Sequence, residues 1–159
     1  MTQADWNYPT QIHVGPGRRV ELADYCQSLK IQRPLIVTDR MLLGLPLVQE
    51  VLAALSAAGL APGVFSEVNG NPTGSEVGAG CQAYRAGGHD GVLAIGGGSA
   101  MDVGKTIAVM AHQRCALFDL EDIGDQWQRA DASVIQPIIA VPTTAGTGSE
   151  VGRAALIVE

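Results

Sequence analysis

Short apolar runs alternate with helix-compatible stretches along this sequence, and this alternation restricts the possible folds more than any other feature. Four runs are mainly apolar and contain β-branched residues, as buried strands do: PLIVT (34–38), GVFSEV (63–68), GVLAI (91–95) and PIIAV (137–141). A β-α-β order of this kind is typical of parallel sheets. We predict an α/β fold with a mostly parallel sheet, in a single domain.

The segments between these runs carry helical patterns. Apolar residues recur every three positions over residues 18–30, and a broader apolar face covers residues 46–58, ahead of a left-handed C-terminal cap at Gly59. Residues 73–84 form a third predicted helix, because a Thr and a Glu open it in capping-box spacing. A fourth helix is predicted from about residue 99 to 111.

Three further segments are less regular. QIHVG (11–15) predicts a short opening strand, and the acidic residues 118–131 predict an exposed excursion. ALIV (155–158) predicts the start of another strand, which is still in progress at Glu159. We therefore expect a polypeptide truncated at this point, with a strand that completes the sheet edge as the alternative.

Composition narrows the possible partners and the compartment. Hydrophobic residues make up 47% and charged residues 16%, which suits a sheet buried on both faces and predicts self-association into a homo-oligomer. The net charge of −6 argues against nucleic acid or an anionic membrane as a partner, and no apolar stretch is long enough to span a membrane. Cys26, Cys81 and Cys115 are odd in number and far apart, as expected of reduced thiols in the cytoplasm.

The first motif with chemical potential is GVLAIGGGSAMDVGK (91–105). A buried strand leads into the glycines at 96–98, where missing Cβ atoms let a pyrophosphate approach the backbone. Ser99 is predicted as the N-cap of the next helix, whose positive end would face that anion. Asp102 follows three residues later, and a capping role is the alternative to a ligand contact.

The second motif is VPTTAGTGSE (141–150), which also follows a predicted strand. It supplies four hydroxyl groups at the edge of the sheet where α/β proteins bind ligands: Thr143, Thr144, Thr147 and Ser149. A polar turn that caps a helix is the alternative. The third feature is Asp39, directly after PLIVT, which could accept both ribose hydroxyls of an adenosine or simply cap a helix.

Together these motifs resemble the signatures of the iron-dependent (group III) alcohol dehydrogenases, within the dehydroquinate synthase-like superfamily. GGGSAMDVGK matches the family pattern GGGSxxDxxK, and PTTAGTGSE matches the second signature letter for letter. VTDR and NPT fall in the expected order and spacing. The resemblance implies a Rossmann-like domain, with helices on both faces of the sheet, that binds NAD. It also implies that residues 1–159 are this dinucleotide-binding domain and that the family's C-terminal all-helical domain is absent from them.

The resemblance also implies roles for individual residues. Asp39 would contact the adenosine ribose and favour NAD over NADP. The pyrophosphate would be held by Gly97, Gly98 and Ser99. The remaining cofactor contacts would come from Thr143, Thr144, Thr147 and Ser149 in the cleft and from Asp102 and Asn71 nearer the nicotinamide. Family members usually have Thr where this sequence has Gly152, which puts any contact at that position in doubt.

Family members bind iron or zinc through one Asp and three His of the helical domain. This sequence contains only His13, His89 and His112, and none lies in a family metal motif. We therefore predict no metal ligand and no catalytic residue among these residues. The full-length enzyme would transfer hydride between a small alcohol or aldehyde substrate and NAD, whereas this chain alone would bind cofactor without turnover. A stand-alone nucleotide-binding module and the N-terminal domain of a glycerol dehydrogenase or maleylacetate reductase are the alternatives.

Overall fold

A computed structural model describes residues 10–159 and contains one four-stranded sheet. The strands are β1 (Pro34–Val37), β2 (Gly63–Phe65), β3 (Gly91–Gly96) and β4 (Ile138–Pro142). They run in the order β2-β1-β3-β4, and every neighbouring pair is parallel. The predicted parallel sheet is therefore confirmed, and all four apolar runs contribute a strand.

Five α-helices connect the strands and cover both faces of the sheet. They are α1 (Leu22–Ser28), α2 (Arg40–Leu43), α3 (Pro46–Ala57), α4 (Gly74–Ala86) and α5 (Gly98–Met110). Alternate residues of β1 point to opposite faces, so Leu35 packs in the core under α4 and α5 while Ile36 packs in the core under α1 and α3. The prediction of helices on both faces is confirmed.

Local signals located two of the predicted helices well. In α4, Thr73 accepts a hydrogen bond from the Glu76 amide, and the Glu76 side chain accepts from the Thr73 amide, which completes the predicted capping box. Gly59 follows α3 with φ +81°, as the predicted left-handed cap requires. These signals depend only on neighbours in sequence, so the surrounding fold could not displace them.

The first predicted helix is displaced. Residues 18–21 form a 3₁₀ turn, and α1 begins only at Leu22. Leu22 and Cys26 are its buried residues, whereas Val20 is 73% exposed. The apolar spacing of three included the buried Cys26 but also the exposed Val20 and Leu29, because an α-helix presents the same face at alternating intervals of three and four residues.

Two predicted strands are wrong. Residues 11–14 are irregular, with Val14 84% exposed, and residues 155–157 are irregular as well. Of these two segments, only Val158 forms a backbone pair within the described residues, an isolated bridge with Thr73. An apolar run becomes a strand only where a neighbouring strand offers backbone partners, which neither segment has in residues 10–159. The strand predicted over residues 63–68 is also shorter, because β2 ends at Phe65.

The predicted exposed excursion and the free cysteines agree with the structure. Residues 118–131 form an exposed excursion with two short 3₁₀ turns, Leu117–Leu120 and Gln126–Arg129. Cys26 and Cys81 are buried thiols in the two cores, and Cys115 is half-buried. Burial, with a smaller contribution from Asp90, raises the pKa of Cys26 to about 11, so this thiol stays protonated. None of the helices within residues 10–159 is long and apolar enough to cross a membrane.

Candidate functional site

The strand order reverses between β1 and β3, and this reversal defines the candidate site. From β1 the chain crosses to β2 on one side, and from β3 it crosses to β4 on the other. The loops that leave two such strands diverge at their carboxyl ends and open a crevice between them. The segments that leave β1, β3 and β4 carry Asp39, the Gly97–Gly98 loop and Thr143, respectively.

The glycine loop connects a fully buried strand to the start of α5. All six residues of β3 are buried, and Gly96 ends it with φ +154°, a conformation that side chains disfavour. Gly97 is the N-cap of α5, and no side chain accepts a hydrogen bond from the helix amides. The first amide groups of this 13-residue helix therefore remain available to an anion.

The prediction that Ser99 caps this helix is wrong. α5 begins at Gly98, so Ser99 lies inside its first turn. The alternative considered for Asp102, a capping role, is also wrong, because Asp102 lies in the second turn. The helix begins one residue earlier than predicted because Gly97 itself takes the extended conformation of an N-cap, with φ −79° and ψ −172°. An uncapped glycine end suits a phosphate better than a serine cap, since the cap would occupy an amide.

The second signature packs directly against the glycine loop. The Thr143 amide donates to the Gly96 carbonyl at 2.9 Å. A Cβ placed on Gly97 would lie 3.3 Å from Thr144 Oγ1, and one placed on Gly98 would lie 2.8 Å from Thr147 Cγ2. A side chain at Gly98 would therefore clash with the facing Thr147, whereas one at Gly97 would pack tightly against Thr144. Thr143, Thr144 and Thr147 are exposed on their other sides, so their hydroxyl groups line an open cleft.

Asp102 and Ser149 are brought together below this cleft. The Ser149 hydroxyl donates to Asp102 Oδ1 at 2.5 Å, and the Leu156 amide donates to Asp102 Oδ2 at 3.2 Å. Lys105 Nζ lies 3.2 Å from Asp102 Oδ1. Asp102 is 8% exposed and Ser149 is 9% exposed, so the predicted ligand residues at these positions bond primarily to the protein.

Lys105 is the residue that sequence reasoning did not single out. It belongs to the first signature, and its spacing of three residues from Asp102 places both charges on one side of α5. That spacing is a usable signal for an ion pair. The carbonyl groups that surround the ammonium come from a distant segment, however, and no spacing within α5 could have indicated them.

Asp39 caps α2, which was the predicted alternative to a ribose contact. Its Oδ1 accepts from the Leu42 amide at 2.8 Å. Its Oδ2 has no hydrogen-bond partner in the described part of the chain and stays available to a ligand. Thr38, the preceding residue, is fully buried, and its hydroxyl also lacks a partner within residues 10–159. A polar group without a partner at a ligand edge indicates a position where a bound molecule could complete the bonding.

Asn71 lies away from these contacts in the turn before α4. It is exposed and has φ +56°, a left-handed conformation that Asn tolerates better than most residues. The hydrogen bonds of the described residues do not connect it to the glycine loop. Only the position of this turn supports the predicted contact of Asn71 with the cofactor. The turn follows β2 and lies at the same edge of the sheet as the glycine loop.

The three histidines lie in different environments. His13 stacks on Tyr25 at 4.4 Å in an irregular segment, not on the predicted strand. His89 bonds to the Arg33 carbonyl at 2.9 Å, and His112 packs edge-on against Tyr84. Within residues 10–159, no group of three or more His, Cys, Asp or Glu side chains could hold a metal ion. The residues described do not fit an iron or zinc site.

These observations define a doubly wound α/β domain with a phosphate-type glycine loop at its switch point. The pattern of the family described as "Iron-containing alcohol dehydrogenase" matches residues 9–159. The chain belongs to this family and corresponds to its N-terminal domain.

Relatives and solved structures agree with this assignment. The chain is 40% identical over 152 residues to a 4-hydroxybutyrate dehydrogenase of Cupriavidus necator, covering 95% of this chain and 39% of the relative. It is 36% identical over 137 residues to a lactaldehyde reductase of Escherichia coli K12, covering 86% and 35%. The sulfoacetaldehyde reductase of Bifidobacterium kashiwanohense, solved in complex with NAD⁺, superposes with a TM-score of 0.82 at 33% identity, covering 95% and 39%. The chain thus spans about two fifths of the length of these relatives.

Proposed function

We propose that this chain is the NAD-binding domain of a metal-dependent alcohol dehydrogenase that transfers hydride between a small alcohol and NAD. The observation that carries the proposal is the uncapped glycine start of α5, which faces the threonines of the second signature at the topological switch point. The names of the relatives, a hydroxybutyrate dehydrogenase and two aldehyde reductases, support the substrate class.

The glycine loop would hold the pyrophosphate. Amide groups at Gly98 and Ser99 point out of the helix without side-chain acceptors, and the helix dipole adds positive potential there. This suits a protein with a net charge of −6, since no Lys or Arg has to supply the attraction. Adding a Cβ at Gly98 would crowd Thr147, so the loop admits phosphate oxygens only while it stays bare.

Asp39 would select NAD over NADP. Its Oδ2 is free to accept from a ribose hydroxyl while Oδ1 keeps its bond to the Leu42 amide. The negative charge would repel a 2′-phosphate at the same place. Further contacts in the cleft are assigned, as proposals, to Asn71, Asp102, Thr143, Thr144, Thr147 and Ser149.

The nicotinamide ring of the bound cofactor supplies the hydride chemistry. The residues described would hold and orient that cofactor, and no group of three or more His, Cys, Asp or Glu side chains among them could hold a metal ion to activate an alcohol. We therefore propose that this chain binds NAD without turnover and that the remaining three fifths of a full-length enzyme provide the substrate pocket. Exposed apolar side chains, Met41 at 86% among them, support self-association, and the free thiols support a cytoplasmic location.

The test is a titration of the chain with NADH and, separately, with NADPH, followed by fluorescence or calorimetry. We expect saturable NADH binding and much weaker NADPH binding. The variant Asp39→Ser keeps a side chain that can cap α2 but removes the charge, so the preference for NADH should shrink at least about tenfold. A folded chain that binds neither dinucleotide, or an unchanged preference in Asp39→Ser, would contradict the proposal.

A further inference from the structure

The ammonium group of Lys105 is enclosed by oxygen atoms of the second signature and the residues that follow it. Nζ donates to the Ser149 carbonyl at 2.9 Å, to the Gly152 carbonyl at 3.3 Å and to the Ala154 carbonyl. It also pairs with Asp102 at 3.2 Å. Four oxygen atoms from two segments of the chain therefore surround one cation.

This cluster is largely shielded from water. The side chains of Lys105 and Asp102 are 13% and 12% exposed. A buried ammonium without partners would be strongly unfavourable, so the carbonyl groups are needed to hold the charge in place. Conversely, three carbonyl groups that face one another repel unless a cation lies between them. The ammonium group and the conformation of residues 149–154 therefore depend on each other.

The same geometry separates Lys105 from the phosphate subsite. The lysine is in the second turn of α5, and all its donors are directed at loop carbonyls and Asp102 rather than at the start of the helix. An ammonium that bonded the cofactor directly would leave these carbonyl groups without a partner. Any effect of Lys105 on cofactor binding must then act through the conformation of residues 149–154.

We infer that Lys105 is a positioning residue for the cofactor: it acts as an internal cation that shapes residues 149–154 and so holds Thr144 and Thr147 against the Gly97–Gly98 loop. This inference rests on the proposed function, because it assigns a purpose to the contacts between the two signatures. The contact at Gly152 does not depend on the side chain there. Lys105 uses the backbone carbonyl at that position, and every residue type supplies one.

The chain offers an internal control, since Lys30 and Lys105 are its only lysines. We would compare Lys105→Met, which keeps the length of the side chain but removes its charge, with Lys30→Met on the exposed surface. The first readout is NADH affinity, expected to fall at least about tenfold in Lys105→Met, as loss of charge-assisted hydrogen bonds predicts, and to stay within twofold in Lys30→Met. The second is hydrogen exchange of the Val151 and Gly152 amides, which bond to the Gly148 carbonyl and should exchange faster only in Lys105→Met.

A chemical rescue tests the role of the cation itself. Lys105→Ala removes three carbons and the ammonium group, so propylammonium should occupy the vacated space and restore both slow exchange and NADH affinity. Tetramethylammonium has the charge but no N–H donor and should restore neither. If Lys105→Met leaves Asp102 too unfavourable for folding, the double variant Asp102→Asn, Lys105→Met removes both charges and is assayed the same way.

The outcomes are distinct. A Lys105→Met variant that lowers the melting temperature but leaves NADH affinity and loop exchange unchanged would overturn the inference, as would equal rescue by tetramethylammonium. If the unaltered chain binds neither NADH nor NADPH, the proposed function fails and the cofactor role fails with it. Loop exchange and its rescue would then still show whether Lys105 shapes residues 149–154.

Discussion

The two signature segments meet at one edge of the sheet but are stabilised in different ways. Residues 96–110 continue a fully buried strand into a 13-residue helix, and nearly every residue of that helix after its first turn contacts the core. Residues 143–156 form no helix or strand and are mostly exposed. The second segment takes its shape from the first, through Asp102 and Lys105. The difference indicates a rigid half, formed by the buried strand and α5, and an adjustable half, formed by the exposed segment that follows β4.

The largest expected effect tests how rigid the first segment is. Gly104 lies in the middle of α5, and a Cβ there would lie 2.7 Å from Ala94 Cβ in β3. Gly78 occupies the middle of α4, where a Cβ would meet nothing within 4 Å. Gly104→Ala should destabilise the chain by about 1–3 kcal/mol through overpacking, whereas Gly78→Ala should stabilise it by about 0.5–1 kcal/mol.

Urea unfolding followed by circular dichroism measures both variants under one set of conditions. The two changes have the same chemistry and the same helical context, so their difference reports the contact with β3 alone. If Gly104→Ala were as stable as Gly78→Ala, the close packing of α5 on the sheet would be wrong, and the first segment would be no more rigid than the second.

The second prediction tests whether the loop depends on α5. Ser149 and Ser133 both donate to an aspartate, at 2.5 Å and 2.6 Å, but the bond from Ser149 to Asp102 is buried and the bond from Ser133 is exposed. Ser149→Ala should cost about 1–3 kcal/mol because it removes the hydroxyl that donates to a buried carboxylate oxygen, which then keeps only the Lys105 ammonium at 3.2 Å. Ser133→Ala should cost well under about 1 kcal/mol, since water replaces the lost donor.

Hydrogen exchange locates the loss. We expect faster exchange in residues 143–152 of Ser149→Ala, with the amides of α5 unaffected. Uniformly faster exchange throughout the chain would mean that the loop is part of the cooperative core, and the contrast between the two segments would disappear.

A smaller effect concerns the residues just after the second segment, where Val158 pairs with the turn at the start of α4. Burial alone would raise the pKa of Glu76, but hydrogen bonds from the Thr73 and Asn69 amides outweigh it and hold that pKa below its usual value of about 4.3. The ionised carboxylate therefore contributes stability that is complete above the usual pKa, which the unfolded chain keeps. This stability is lost as the pH falls through the lower pKa of the folded protein. Glu76→Gln should cost about 0.5–1 kcal/mol at pH 7, as for loss of a cap, and less in acid.

Urea unfolding at pH 7 and at pH 3 checks this prediction. Glu67→Gln, at an exposed carboxylate, is the matched control and should show no comparable cost at either pH. A Glu76→Gln cost that stayed constant between the two pH values would show that the capping carboxylate does not titrate in this range.

The smallest predicted effect is a gain. Gly152 has no left-handed conformation, and a Cβ there would meet only the Gly148 carbonyl at 3.9 Å. Gly152→Ala should therefore stabilise the folded loop by about 0.4–1 kcal/mol by restricting the unfolded chain. Gly148→Ala is the control, since φ +66° there makes the same substitution unfavourable. Slower exchange of the Val151 amide in Gly152→Ala would support the gain, and faster exchange would contradict it.

Sequence patterns predicted those parts of the fold whose causes lie close together in the chain. The four parallel strands, the capping box of Thr73 and Glu76, and the cap at Gly59 follow from runs of a few residues, and the structure contains all of them, although only β1 and β3 are fully buried. Predictions failed where a distant partner was required. QIHVG and ALIV have strand composition, but within residues 10–159 no neighbouring strand receives them.

The candidate site shows the same division. The amino-acid sequence by itself determined the family, the parallel sheet and which segments carry ligand chemistry, because apolar periodicity and the two signatures are local properties of the chain. Only the tertiary structure decided that Gly97 rather than Ser99 is the N-cap of α5 and that Lys105 is enclosed by carbonyl groups more than forty residues away. Backbone carbonyl groups are the same in every residue, so their convergence on one ammonium depends on how the chain folds and leaves no pattern in the sequence.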